Sequence, residues 1–179
     1  HPAFDKDKQG KYLYHDLSAE KLEGVHALSD SKMVATRELT ATDYVYQIKR
    51  MAHPKVHSPI AGLMSKYILG LDGLAAQLND YVKNNPQQHY IDLNSFDLPG
   101  VKVIDTHTFE ITLKQKYPQF IYWLSMSFFA PMPWEAVYFY TQPGMEDRNI
   151  TLDWYPVGTG PFMLTENNPN RRRVLERNT

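Results

Sequence analysis

Gly100-Val-Lys-Val-Ile-Asp-Thr-His-Thr-Phe-Glu-Ile-Thr-Leu-Lys114 is where the chain changes period. Val101 and Val103 flank Lys102, and beyond Asp105-Thr-His107 the apolar Phe109, Ile111 and Leu113 alternate with Glu110, Thr112 and Lys114. Side chains two apart share one face of a strand. The stretch therefore predicts an antiparallel hairpin that turns at His107 and buries Phe109, Ile111 and Leu113.

Upstream the period is helical. Thr40-Ala-Thr-Asp43 has the spacing of a capping box, with Asp in place of the usual Glu, and Leu39 and Tyr44 stand where a hydrophobic staple would. Tyr44, Ile48, Met51 and Ala52 continue the apolar stripe, while Lys49 and Arg50 lie off it near the C-terminal end, until Pro54 forces a stop near His53. Ser58-Pro59 restarts a helix whose face is Ile60, Leu63, Met64, Tyr67 and Ile68. A third helix from Asp72 carries Leu74, Leu78, Tyr81 and Val82 as far as Asn84-Asn-Pro-Gln-Gln88. The three should pack together. Residues 1–32 show no sustained period beyond a short strand-like run, Lys11-Tyr-Leu-Tyr14.

Downstream, short helices are expected from Tyr117-Pro118 to Leu124 and from Trp134 to Tyr140, the second closed by Gln142-Pro-Gly144. A second hairpin follows, with strands at Phe162–Thr165 and Arg172–Arg177 around Asn167-Asn-Pro-Asn170. Helices combined with separate antiparallel hairpins define an α/β chain of the α+β type.

Composition narrows the function. The 179 residues suffice for one large domain or two small ones, and 42% hydrophobic with 13% aromatic residues describes a chain that folds. A net charge of -1 supplies no field to recruit a nucleic acid. The absence of cysteine excludes disulfides, thiolate nucleophiles and Cys-type metal or iron–sulfur sites. The longest apolar stretch, Phe120–Met132, is broken by Ser125, Ser127 and Pro131 and falls short of the ~20 residues a membrane span needs. The sequence opens at His1 without a leader and stops directly after a strand, so it reads as a piece of a longer protein.

No residue set makes a complete catalytic constellation. His53 and His57 are four apart, but Pro54 separates them and no Glu follows His53, so loop histidines are the reading and no metal is expected. Ser58, Ser65, Ser125 and Ser127 lack a nucleophile elbow, and Glu38 with Asp43 or Glu146 with Asp147 read as helix-end and surface carboxylates. Gly158-Thr-Gly160 lacks the further residues of a phosphate loop, and Pro161 removes an N–H. Arg171-Arg-Arg173 reads as a solvated face. The band from Tyr117 to Tyr140 is the richest candidate. Core packing accounts for about two thirds of its aromatics, and the remainder could line a cleft, with Phe129 and Trp134 as first candidates for ligand binding.

Four ordered segments carry a family resemblance. Arg37-Glu-Leu-Thr-Ala-Thr-Asp-Tyr-Val-Tyr-Gln-Ile-Lys-Arg50, the hairpin Gly100–Lys114, Tyr117-Pro-Gln-Phe120 through Ala130-Pro-Met-Pro133, and Val157-Gly-Thr-Gly-Pro-Phe-Met-Leu164 with Val174-Leu-Glu-Arg-Asn178 resemble the family 5 extracellular solute-binding proteins. These are the peptide and oligopeptide receptors of ABC importers. The likeness spans residues 34–178. It departs from the family at Thr179, where proline is usual, and in a longer loop from Asn84 to Leu98.

The resemblance implies a class II-like periplasmic-binding-protein clamshell, with residues 1–150 in an extra subdomain of the N-terminal lobe, residues 151–179 opening the sheet of the larger lobe, and the second lobe outside this sequence. It implies a periplasmic protein, or a cell-surface lipoprotein, that binds oligopeptides and hands them to an ABC permease. No catalysis and no cofactor are implied. A ligand sensor of a transcriptional regulator built on the same fold is the alternative, to be distinguished by a DNA-binding helix-turn-helix elsewhere in the protein.

Overall fold

The computed structural model describes residues 1–18, 20–31 and 35–178, so Ala19, Lys32, Met33, Val34 and Thr179 lie outside the described residues. The chain forms two compact units, Leu39–Trp134 and a second made of His1–Glu38 with Glu135–Thr179. This division differs from the expected boundary at 150/151. The reason is a core shared by distant stretches: Ala3, Leu22, Ala136, Phe139, Met145, Ile150 and Tyr155 pack in one cluster.

In the Leu39–Trp134 unit the order is α1 (Ala41–Met51), α2 (Ala61–Tyr67), α3 (Leu71–Asn84), β1 (Val101–Asp105), β2 (Thr108–Ile111) and α4 (Phe120–Trp123). Helix α1 begins where the capping box places it. The tight arm of the box is the carboxylate: Asp43 Oδ2 accepts the Thr40 N–H at 2.9 Å, and the Thr40 hydroxyl approaches the same oxygen at 3.5 Å. A second free N–H of the first turn, that of Ala41, donates to Thr106 O of the hairpin turn at 2.8 Å.

The expected single stripe understates the burial of α1. Val45, Tyr46 and Gln47 are buried along with Ile48 and Met51, because the helix packs against β1, β2 and the turns Leu93–Ser95 and Ser127–Phe129. Helix α2 starts at Ala61, later than Ser58-Pro59 suggested, with the Ala61 N–H bonded to Ser58 O. Met64 and Ile68 pack with Leu71, Leu74 and Leu78 of α3, as the apolar faces required.

The hairpin pairs Val101 with Ile111 and Val103 with Phe109, and Thr106-His107 form its turn. Its parity is the expected one: Phe109, Ile111 and Leu113 are half-buried, and Glu110, Thr112 and Lys114 are exposed. The burial is shallower than expected and fades toward the turn, where Val103 is exposed. Phe109 stacks on Tyr44 with ring centres 5.2 Å apart. The chain after α2 joins the hairpin edge through Leu69 N to Thr112 O at 3.1 Å and Lys114 N to Tyr67 O at 2.7 Å. This close approach demands glycine at 100, since a Cβ there would lie 2.2 Å from Leu69 O.

The other unit contains α5 (Trp134–Tyr140, from Glu135 onward), β3 (Phe162–Asn168) and β4 (Arg172–Arg177). Residues 1–18 and 20–31 are irregular as expected, apart from single 3-10 turns, and the Lys11–Tyr14 run contributes only an isolated Lys6–Tyr12 bridge among the described residues. Glu135 ties the N-terminal stretch to α5. It is 3% exposed and accepts Arg37 Nε and Nη2 at 2.8 Å each, plus the Tyr12 hydroxyl at 3.2 Å.

Strands β3 and β4 form an antiparallel ribbon with a bulge between Leu164 and Glu166. Pairing assigns its faces. Phe162, Leu164, Leu175 and Arg177 share one, with Phe162 62% and Leu175 63% exposed. Glu166, Asn168, Arg172, Val174 and Glu176 share the other. At the ribbon's open end Asn178 donates its backbone N–H to Pro161 O at 2.9 Å and its side-chain amide to Gly160 O at 3.0 Å.

Candidate ligand site

Of the band's ten aromatics, Phe120, Phe129, Phe139 and Tyr140 are buried, five are half-buried and Tyr122 is exposed. Phe129 is 3% exposed and meets Phe120 edge-on at 6.1 Å, and Tyr117 beside Phe120 stacks on Tyr67 at 4.1 Å. Trp134 is half-buried. Phe129 therefore has a packing role, and neither residue lines the clefts described below. The band's outward residues are Ile121 and Tyr122 of α4 with Leu124 and Met126.

The residues weighed for catalysis or metal binding are dispersed. His53 caps the turn Pro54–Val56, its Nδ1 accepting the Lys55 N–H at 3.1 Å. Burial, reinforced by the charges of Lys55 and Arg50, pushes its pKa down to about 4. His57 occupies a left-handed position at φ 50°. Asp43 is engaged with Thr40, Glu146 and Asp147 lie in an exposed surface turn, and Ser127 is exposed in the turn before Phe129. Among the described residues, no three His, Asp or Glu side chains converge as a metal site.

Two clefts lie in the unit that contains the ribbon. An apolar cleft of about 470 Å³ opens beside the core between Leu13, Leu17, Val25 and Phe139. A larger, polar cleft of about 730 Å³ has three walls. The ribbon's inner face supplies Glu166, Asn168, Arg172 and Glu176, the turn after Val25 supplies His26 and Ser29, and the segment leading to the ribbon supplies Arg148, Asn149 and Trp154.

Bonds within these walls fix them. Arg172 Nε and Nη2 both donate to Glu166 Oε2 at 2.8 Å, and Asn167 Nδ2 donates to Trp154 O at 2.8 Å, joining the ribbon to the opposite wall. Arg148 gives one bond, from Nη1 to Gly144 O at 2.8 Å. The arginine triplet is exposed, as expected of a solvated face; Arg172 lies at the cleft's edge and Arg173 donates from Nε to Asn167 Oδ1 at 3.2 Å. Sequence reading could not find this cleft because its walls come from segments far apart in the chain. The alternation of β4 was the one available signal.

Comparison with known proteins places the chain. The profile of the bacterial extracellular solute-binding proteins, family 5 Middle, matches residues 35–179. This chain belongs to that family. It is 31% identical over 153 residues to the periplasmic oligopeptide-binding protein OppA of Salmonella typhimurium, a match covering 86% of this chain and 24% of that protein. OppA of Escherichia coli is 30% identical over 153 residues, covering 85% and 24%, and a dipeptide-binding protein of Lactococcus lactis is 30% identical over 150 residues, covering 83% and 24%. The chain spans about a quarter of the length of these relatives. No solved structure matches it.

Proposed function

We propose that this chain is part of the substrate-binding component of an ABC transporter, a receptor that captures oligopeptides outside the cytoplasmic membrane and delivers them to the permease. The observation that carries the reading is the family match over 35–179, together with relatives named for oligopeptide and dipeptide binding. Mixed helices and small antiparallel sheets fit the α/β clamshell of such receptors. The Leu39–Trp134 unit serves as the extra subdomain, and the unit with the ribbon opens the larger lobe. Binding and release need no bond-making chemistry, so the receptor has no catalytic residues. Its site of action is the periplasm, or the cell surface if the protein carries a lipid anchor.

Calorimetry against a pool of tri- to pentapeptides tests this. The full-length receptor should bind tightly and the 179-residue chain only in the millimolar range, since losing ~4 kcal/mol of enclosure weakens binding about a thousandfold. A full-length receptor that binds no peptide would overturn the function. Micromolar binding by this chain alone would overturn the division of labour between lobes.

A further inference from the structure

We propose that Asn149 is a modification site, the acceptor of an N-linked glycan transferred from a polyprenyl-diphosphate carrier. The inference rests on the part of the receptor reading that puts the protein outside the cytoplasmic membrane, where exported chains meet such carriers. It starts from Asn149-Ile-Thr151, the three-residue pattern of an acceptor, with a middle residue other than proline. No other asparagine of the sequence stands two places before a serine or threonine.

The fold exposes the acceptor and buries the residue after it. Asn149 closes the turn Glu146–Arg148 and is exposed, in the left-handed region at φ 54°. Asparagine tolerates that region better than most residues with a Cβ. Its backbone N–H donates to Glu146 O at 2.9 Å. Ile150 then enters the core at 1% exposure, and its N–H donates to Met145 O at 3.0 Å. Among the described residues neither the Asn149 amide nor the Thr151 hydroxyl makes a side-chain hydrogen bond. A glycan on the Asn149 amide therefore breaks no bond of the fold and displaces no packed group.

An amide nitrogen is a weak nucleophile, because its lone pair is shared with the carbonyl. A transferase that activates it must grip the segment on both sides. Thr151 supplies a hydroxyl two residues after the acceptor, and Asp147 supplies an exposed carboxylate two residues before it. In the transfer, Asn149 Nδ2 attacks the anomeric carbon of the carrier-linked sugar. The N–C bond forms as the C–O bond to the diphosphate breaks, the polyprenyl diphosphate leaves with the bonding pair, and a base of the transferase takes the amide proton. Since Ile150 is anchored in the finished core, the transferase reaches the segment while the chain is being exported, and the fold then closes with Asn149 outside.

Peptide mapping by mass spectrometry is the test. The chain is exported to the periplasm of a host strain that carries a bacterial oligosaccharyltransferase and a polyprenyl-diphosphate oligosaccharide, and the full-length receptor is purified from the cells that make it. In both, the segment Asn149–Arg171 should carry the mass of one glycan. Asn149→Gly, which keeps the left-handed turn, and Thr151→Val should lose it, Asp147→Ala should lose most of it, and Thr151→Ser should keep it, with thermal melts like the parent's. An unmodified Asn149 in either preparation, a glycan that survives Asn149→Gly or Thr151→Val, or full occupancy in Asp147→Ala would overturn the assignment. Peptide binding is read separately. An unmodified receptor that binds peptides removes this site alone, while a glycosylated receptor that binds none overturns the receptor reading and leaves the site standing.

Discussion

Glu135→Met should be among the most damaging substitutions in the unit containing α5, and the structure sets the size. The carboxylate is 3% exposed and is gripped by two guanidinium bonds of 2.8 Å and by the Tyr12 hydroxyl. Breaking a buried ion pair from one side costs ~3–5 kcal/mol, because the surviving charge stays desolvated. The Arg37 side chain is 28% exposed, lies over the Phe4 ring at 5.3 Å and also donates to Glu38 O, so water and neighbours relieve part of that penalty. A loss of about 2–3 kcal/mol follows. For a unit of this size each kcal/mol lowers the melting temperature by about 4–8 °C. Urea and thermal unfolding followed by circular dichroism would measure it.

The sharper test adds Arg37→Met. Replacing both charges by apolar chains of similar volume removes the desolvation penalty with the pair, so the double variant should recover to within about 1 kcal/mol of the parent. A single variant costing under about 0.5 kcal/mol, or a double variant no better than Glu135→Met, would refute the claim that Glu135 fastens the N-terminal stretch.

The other predictions concern the Leu39–Trp134 unit. Gly100→Ala places a methyl 2.2 Å from Leu69 O and should cost about 3 kcal/mol or more, read as a fall in the urea midpoint; an unchanged midpoint would contradict the close approach. Asp43→Ala should cost about 1–2 kcal/mol and Thr40→Ala less, because the carboxylate makes the tight capping bond; the reverse order in thermal melts would restore the threonine as the main cap. His53 is held below its unfolded pKa, so the unfolded chain binds more protons between about 6.5 and about 4, and its contribution is lost as the pH falls through that window. After allowance for its partial exposure that amounts to about 1–2 kcal/mol, and an NMR titration placing His53 near its ordinary pKa would refute it.

What the sequence revealed and what it withheld follow one physical line. Period and punctuation are local, so the capping box at Thr40, the hairpin turn at His107, the helix Trp134–Tyr140 and the strand Arg172–Arg177 were all legible. The depth of burial is not local. Nothing in α1 announces that Val45, Tyr46 and Gln47 will be covered, since the covering groups come from the hairpin and from turns that follow it by dozens of residues. The compact units cut across the 150/151 boundary for the same reason: Ala3 and Leu22 complete the core around Phe139 and Ile150, and no periodicity links them. The Gly-Thr-Gly-Pro and Arg-Asn segments were legible as motifs, but their relation is spatial. Asn178 closes the end of the ribbon onto Gly160 and Pro161.

That closure bears on how a receptor of this kind could combine tolerance with affinity. The bonds from Asn178 and the Arg172–Glu166 pair hold a bulged two-stranded ribbon that would be marginal alone. On the proposed reading the receptor binds through terminal and backbone groups that every peptide has, which imposes little choice of side chain. An open cleft nevertheless leaves its hydrogen bonds in competition with water, each worth only about 0.5–1.5 kcal/mol net. Four such bonds correspond to about millimolar affinity. Tight capture thus needs a second surface that expels water from the same bonds, and on the proposed reading the second lobe of the receptor supplies it. On that reading affinity depends on closure, and generality on contacts to the backbone common to all peptides.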